Sequence, residues 1–155
     1  MINIEQSDEK LLLKLSQQIS KKVRKALVQR LMKTGYTGDT LLDPKDLKSN
    51  HEIDLTAKEV IIETLKEYNI DILYESKKDK EIIKKDGSRL VAIIDEIDGS
   101  LNWDRGVGDP AIVIAVSEKK EMITYKDLFF AYAKGLISKD SIKTIQGIPF
   151  VLVLM

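Results

Sequence analysis

An apolar, β-branched run, Val91-Ala92-Ile93-Ile94, leads straight into an acid, Asp95. Three residues later a second acid, Asp98, is followed at once by Gly99 and Ser100. The run reads as a buried strand. Its end carries two carboxylates and a permissive backbone, which suit a divalent cation and a phosphate better than they suit a core.

The rest of the chain has to supply what such a strand packs against. With 155 residues it has the size of one domain, enough to bury roughly 70% of the surface its unfolded form exposes. The absence of cysteine excludes disulfides, thiolate zinc sites and cysteine nucleophiles. Together with an N-terminus unlike a signal sequence, it favours the cytoplasm. No apolar run approaches the ~20 residues of a membrane span. The 25 basic residues balance the 25 acidic ones, so nothing in the charge points to nucleic acid or a membrane surface.

Apolar positions Leu11, Leu12, Leu15, Ile19, Val23, Ala26, Leu27 and Leu31 recur every three or four residues between lysines, predicting a long amphipathic helix from Ser7 to about Lys33. Gly35, Gly38 and Pro44 among polar residues make 34–50 an exposed loop. Asp54 stands at a helix N-cap position, and Val60, Ile61 and Leu65 continue that helix to about Tyr68. Asn69–Tyr74 alternates as a strand running out at Glu75. A lysine-rich loop with a Lys85-Asp86-Gly87-Ser88 turn leads to the strand 89–95. Ala111–Ser117 is a further strand, Met122–Tyr125 is a candidate one, and Leu128–Ile137 suits strand or helix. The apolar end, Gly147–Met155, reads as a terminal core strand or as a surface for a partner.

Glu75, Asp95 and Asp98 fall at the ends of predicted elements, and strand ends lying side by side would gather them into a site for Mg²⁺. Asp98-Gly99-Ser100 then resembles the start of a helix whose free N–H groups face an anion. Acids beside an anion cradle suit metal-assisted phosphoryl chemistry. The same residues also spell a hairpin turn, with Ile93 and Ile94 on one side and Leu101 and Trp103 on the other. An EF-hand loop is excluded, because Gly99 at its sixth position would put Ile94 first and Arg105 last. The G-x-G-x-x-A spelling of Gly106–Ala111 precedes a strand and contains Pro110, so it is not a dinucleotide loop. His51 lacks the second histidine of a zincin, since Leu55 stands there, and Lys77, Lys78 and Lys80 read as a solvated run. Asp54 is a helix cap by default and otherwise an outer ligand of the acid cluster.

Taken together, these motifs resemble the inositol monophosphatase and fructose-1,6-bisphosphatase superfamily of Mg²⁺-dependent sugar phosphatases. Asp95-Glu96-Ile97-Asp98-Gly99-Ser100-Leu101-Asn102-Trp103 is similar to its D-P-I-D-G-T/S-x-N-F/Y signature, and Asp71–Ser76 to its strand ending in E-E-S. Glu52-Ile53-Asp54 is similar to its T-x-x-D helix start, and Gly108–Val116 to its G-x-P-x-F-A-V-S-I strand. The resemblance implies an α+β fold: an N-terminal helix pair packed on a largely antiparallel sheet, the first half of a layered α/β/α/β/α phosphatase. It implies Mg²⁺, or Mn²⁺, held by Glu75, Asp95, the Ile97 carbonyl and Asp98. It further implies phosphate held by Asp98, Gly99 and Ser100, with Ser100, Asp54 and Glu75 as catalytic residues. The implied reaction is hydrolysis of a phosphorylated sugar or polyol by in-line attack of water, without a phosphoenzyme.

Three departures stand out: Tyr74 replaces the first glutamate of the family's pair, Glu96 its proline, and Lys58 a helix glutamate. The family's second half, with its W-D-x-x-A motif, has no counterpart here; Trp103-Asp104 belongs to the first motif. The expectation is one domain over 1–155 with low or no turnover alone. The alternative is a non-catalytic module that homo-oligomerises or binds a partner chain. An acid borrowed across a dimer, from Asp104, Asp109 or Asp127, is a third arrangement.

Overall fold

The computed structural model describes residues 2–5, 8–34, 52–74, 81–100, 108–118, 122–138, 140–145 and 148–152. The first helix, α1 (Glu9–Thr34), forms where the three- and four-residue spacing predicts it. Its stripe of Leu12, Leu15, Ile19, Val23 and Leu27 is buried, and the intervening lysines face water. The second, α2 (Glu52–Leu65), buries Ile53, Ala57, Ile61 and Leu65, one residue per turn. Arg30 donates to the Thr56 hydroxyl at 2.9 Å and Lys22 to the Thr64 hydroxyl at 3.3 Å, tying the helices together.

The strands are β1 (Ile2–Asn3), β2 (Tyr68–Asn69), β3 (Asp71–Tyr74), β4 (Glu81–Ile83), β5 (Leu90–Asp98), β6 (Ala111–Glu118), β7 (Leu128–Gly135), β8 (Ser141–Ile145) and β9 (Ile148–Leu152). The short β1 and β2 pair in parallel. The other seven form one sheet in the order β4-β3-β5-β6-β7-β8-β9. Within it β3 and β5 run parallel and every other pair antiparallel, so the fold is α+β with a helix pair on a largely antiparallel sheet.

Register explains which face the helices cover. Tyr74, Ile94, Ile114 and Tyr132 form one row across β3, β5, β6 and β7, and Ile72, Ala92, Val116 and Phe130 form another. All eight side chains are buried in the cluster that holds the helix stripes. The alternate rows, Leu73-Ile93-Ala115-Ala131 and Asp95-Val113-Ala133, point to the opposite face and are half-buried.

Several local expectations change. Asp54 is not an N-cap: it lies in the first turn of α2, because Ile53 already belongs to the buried stripe and the helix starts before it. That helix stops at Leu65, where the Lys85 ammonium donates to the carbonyls of Leu65 (2.6 Å), Lys66 (2.9 Å) and Tyr68 (2.7 Å). The turn at 85–88 forms as expected, with Gly87 at φ 72° and Ser88 N–H bonded to the Lys85 carbonyl. The lysine-rich stretch before it contains β4. Residues 122–125 are not a strand; they lead into a 3-10 turn, Tyr125–Asp127, held by Asp127 accepting from Thr124 N–H and hydroxyl. Residues 128–135 resolve as strand, and the expected terminal strand forms as β9, at one end of the sheet order. The expected loop 34–50, apart from Thr34, lies outside the described residues, as do His51 and Lys77, Lys78 and Lys80.

Candidate metal and phosphate site

Parallel pairing aims the carboxyl ends of β3 and β5 the same way. Tyr74 is registered with Ile94, so the last residue of β3 lies beside the residue that precedes Asp95. Glu75, expected to share that end, lies outside the described residues. Asp95 pairs with Val113 and Asp98 with Ala111, and the register shifts between them. Glu96 and Ile97 therefore fall at an irregularity of the ladder, where a bulge bends a strand and re-aims its groups. Ile97 keeps its side chain buried while Asp98 is exposed. Gly99 follows at φ 83°, the left-handed region that favours glycine, and Ser100 is helical. Both edges of β5 are occupied, by β3 and β6. Ile93 and Ile94 pair with Ala115 and Ile114 of β6, which excludes the tight hairpin reading of Asp98-Gly99.

Asp95 and Glu96 address opposite faces. Asp95 shares its row with Val113 and Ala133, away from the helices. Glu96 is affected electrostatically by Asp54 and Lys58, both on α2. Burial pushes the Glu96 carboxyl up to about 7, and repulsion from Asp54 and Asp95 adds to it; its own backbone N–H and Lys58 act the other way. The Lys58 ammonium sits 5.0 Å from the centroid of the Tyr74 ring. Lys58, Tyr74 and Glu96 are the three departures from the motif pattern, and folding brings them to one place. Their identities were visible in the sequence; their meeting was not.

Carboxylate and carbonyl oxygens are hard donors, and the charge crowding at Glu96 is of the kind a cation relieves, so these residues suit Mg²⁺ or Mn²⁺ in kind. Among the described residues no three acids or histidines form a group able to hold a metal. Asp109 and Asp127, the described candidates for lending an acid across a dimer, are engaged locally. Asp109 accepts from Ile137 N–H (2.8 Å), Ser138 N–H (3.3 Å) and the Ser138 hydroxyl, and Asp127 from Thr124. Asp104 lies outside the described residues.

In fold the chain is of the inositol monophosphatase type, consistent with the N-terminal half of that superfamily's fold. A hypothetical protein of Pyrococcus horikoshii, described as similar to inositol-1 monophosphatase, matches with a TM-score of 0.68 at 19% identity over 92% of this chain and 52% of its own. The extragenic suppressor protein SuhB of Bartonella henselae matches with a TM-score of 0.63 at 19% identity, over 91% of this chain and 51% of its own. Inositol monophosphatase II of Staphylococcus aureus gives 0.60 at 18% identity, over 95% and 48%. The chain thus spans about half the length of these proteins. No family model and no curated protein matches the sequence. Among the described residues no helix is long and apolar enough to cross a membrane.

Proposed function

We propose that this chain is one half of an Mg²⁺-dependent phosphate monoester hydrolase of the inositol monophosphatase type, weak or inactive alone, acting in the cytoplasm on a phosphorylated sugar or polyol. The observation that carries this reading is the Asp95–Ser100 segment at the end of β5, beside parallel β3, in a fold of that type. Asp95, the Ile97 carbonyl and Asp98, with Glu75, would hold Mg²⁺ or Mn²⁺. The metal, when bound, would draw charge from the phosphate and lower the pKa of water. Backbone N–H groups of Gly99 and Ser100 bind the phosphate, favoured by a helix start and by the missing glycine side chain. The Ser100 hydroxyl orients the attacking water, and Asp54 holds that hydroxyl in position.

The test is binding of inorganic phosphate, with and without Mg²⁺, followed by phosphate release from inositol monophosphate. Mg²⁺-dependent binding with slow release, both lost in Asp95→Asn, is the expected result. Binding indifferent to Mg²⁺ and to Asp95 overturns the reading, and vigorous turnover by the chain alone overturns its half-site part.

The outer face of the sheet favours a second reading, in which copies of the chain associate. Ile82 and Ile142 there are 47% and 49% exposed, on the face of the half-buried row Leu73-Ile93-Ala115-Ala131 and its neighbours. Light scattering showing a dimer supports this reading, and a monomer at high concentration refutes it.

A further inference from the structure

The sheet covers one side of the helix layer and leaves the other in water. Opposite the buried stripe of α1, at helical spacing, stand Lys21, Lys25 and Met32, all exposed. The 26 residues of that helix include a single acid, Glu9 in its first turn. The outward side of α2 has the other sign: it exposes Glu59 and Glu63, with Leu55 one turn before Glu59. Glu63 accepts from its own chain's Lys66 at 2.5 Å, whereas among the described residues Lys21, Lys25 and Glu59 make no ion pair. Met32 and Leu55, 82% and 42% exposed, are the large apolar side chains that the two helices leave in water. The bonds from Arg30 to Thr56 and from Lys22 to Thr64 fix how the helices align. They run antiparallel, and counting along them from these bonds puts Glu63 level with Val23, Glu59 with Leu27 and Leu55 with Leu31. Lys25 therefore stands midway between the levels of the two glutamates, and Met32 is one residue from the level of Leu55. A basic and an acidic stripe side by side at matched levels make a surface complementary to itself. A two-fold axis parallel to the helices leaves every residue at its own level, so two copies stacked helix layer on helix layer set α1 of each along α2 of the other.

We propose that the outward face of the α1–α2 layer binds a second copy of this chain, with Met32 of each copy against the partner's Leu55 and Lys25 between the partner's Glu59 and Glu63. This face is on the other side of the molecule from the outer face of the sheet, and the proposal is independent of the metal reading. A basic helix alone would suit a polyanion; the acidic stripe beside it repels one and favours a partner that carries both signs. Two-fold symmetry makes each contact twice, so each change is felt twice. Exposed ion pairs are individually weak and are screened by salt, so the dimer is reversible, and reversing one of these charges should weaken it about tenfold.

The experiment is sedimentation of the full chain over a concentration series, in low and high salt, for the parent, Lys25→Glu, Glu59→Lys and an equimolar mixture of these two variants. Both positions are exposed and both changes exchange good helix formers, so folding is preserved, and melting curves check it. The parent should dimerise, less tightly in high salt, and each single variant about tenfold less tightly than the parent. The mixture should recover at least the parent's affinity, because every like-charged pair becomes an opposite pair across the axis. Pairing within one chain cannot produce recovery on mixing. A monomeric parent, a dimer that neither variant weakens, or a mixture no tighter than its components overturns the proposal. So does a monomeric parent that binds heparin and loses it in Lys25→Glu, which assigns the face to a polyanion.

Discussion

Replacing Glu96 by glutamine should make the metal-free protein more stable at neutral pH and leave it unchanged in acid. In the folded chain the Glu96 carboxyl titrates at about 7, against an ordinary value of 4.5. Below pH 4.5 it is protonated folded or unfolded and contributes no pH dependence. Between 4.5 and about 7 the unfolded chain releases the proton while the folded chain retains it, so stability falls as pH rises through that window. Above 7 the full cost persists, because the ionised carboxylate sits partly buried beside Asp54 and Asp95. A displacement of this size corresponds to about 3 kcal/mol. Glu96 is only half-buried, so solvent screening brings the expected cost to roughly 1–2 kcal/mol. Urea denaturation in a chelating buffer from pH 4 to 8, on the parent and Glu96→Gln, reads it directly. The two stabilities should agree at the acid end and diverge by that amount above neutrality. Parallel curves across the whole range would refute the reasoning.

Gly135→Ala should destabilise the protein by about 1–3 kcal/mol. A Cβ there overlaps the Asp109 carboxylate and comes within 2.6 Å of the Ser138 Oγ, displacing the acceptor that holds Ile137 and Ser138. A variant melting with the parent contradicts this. Burial pushes the Asp109 carboxyl up, but its bonds from Ser138, Ile137 and Leu136 outweigh that and hold it below the usual range. Its contribution is therefore present above the ordinary carboxylate value and lost as pH falls through the depressed one, so the deficit of Gly135→Ala should shrink in strong acid. Lys85→Met removes the donor to three carbonyls at the end of α2 and should cost about 1–3 kcal/mol. Faster amide exchange confined to the last turn of α2 is the matching signature; unchanged exchange refutes the cap.

Much of the fold is legible because its long elements each repeat one signal. The stripe of α1 and the apolar runs of β5 and β6 need no tertiary information. What escapes is short or borrowed. Ile2–Asn3 is a strand only because Tyr68–Asn69 lies beside it, β4 sits inside a lysine run, and β8 has just two apolar residues in Ser141–Ile145. The cap assigned to Asp54 fails because Ile53 is already needed by the core, which carries α2 back beyond it. At the candidate site, Asp95, Asp98, Gly99 and Ser100 stand together in the sequence, and the strand end and left-handed glycine follow. The Lys58–Tyr74–Glu96 group joins three separated positions. Only the packing of α2 over the parallel pair β3 and β5 makes them neighbours, and local sequence carries no signal of that.

The most direct measurement is calorimetric titration of Mg²⁺ and Mn²⁺ into the chain and into Asp95→Asn. If the end of β5 is a cation site, heat of binding appears with the parent and vanishes with Asp95→Asn, while both proteins melt as folded. No binding by the parent, or binding that survives the loss of the Asp95 carboxylate, contradicts the assignment.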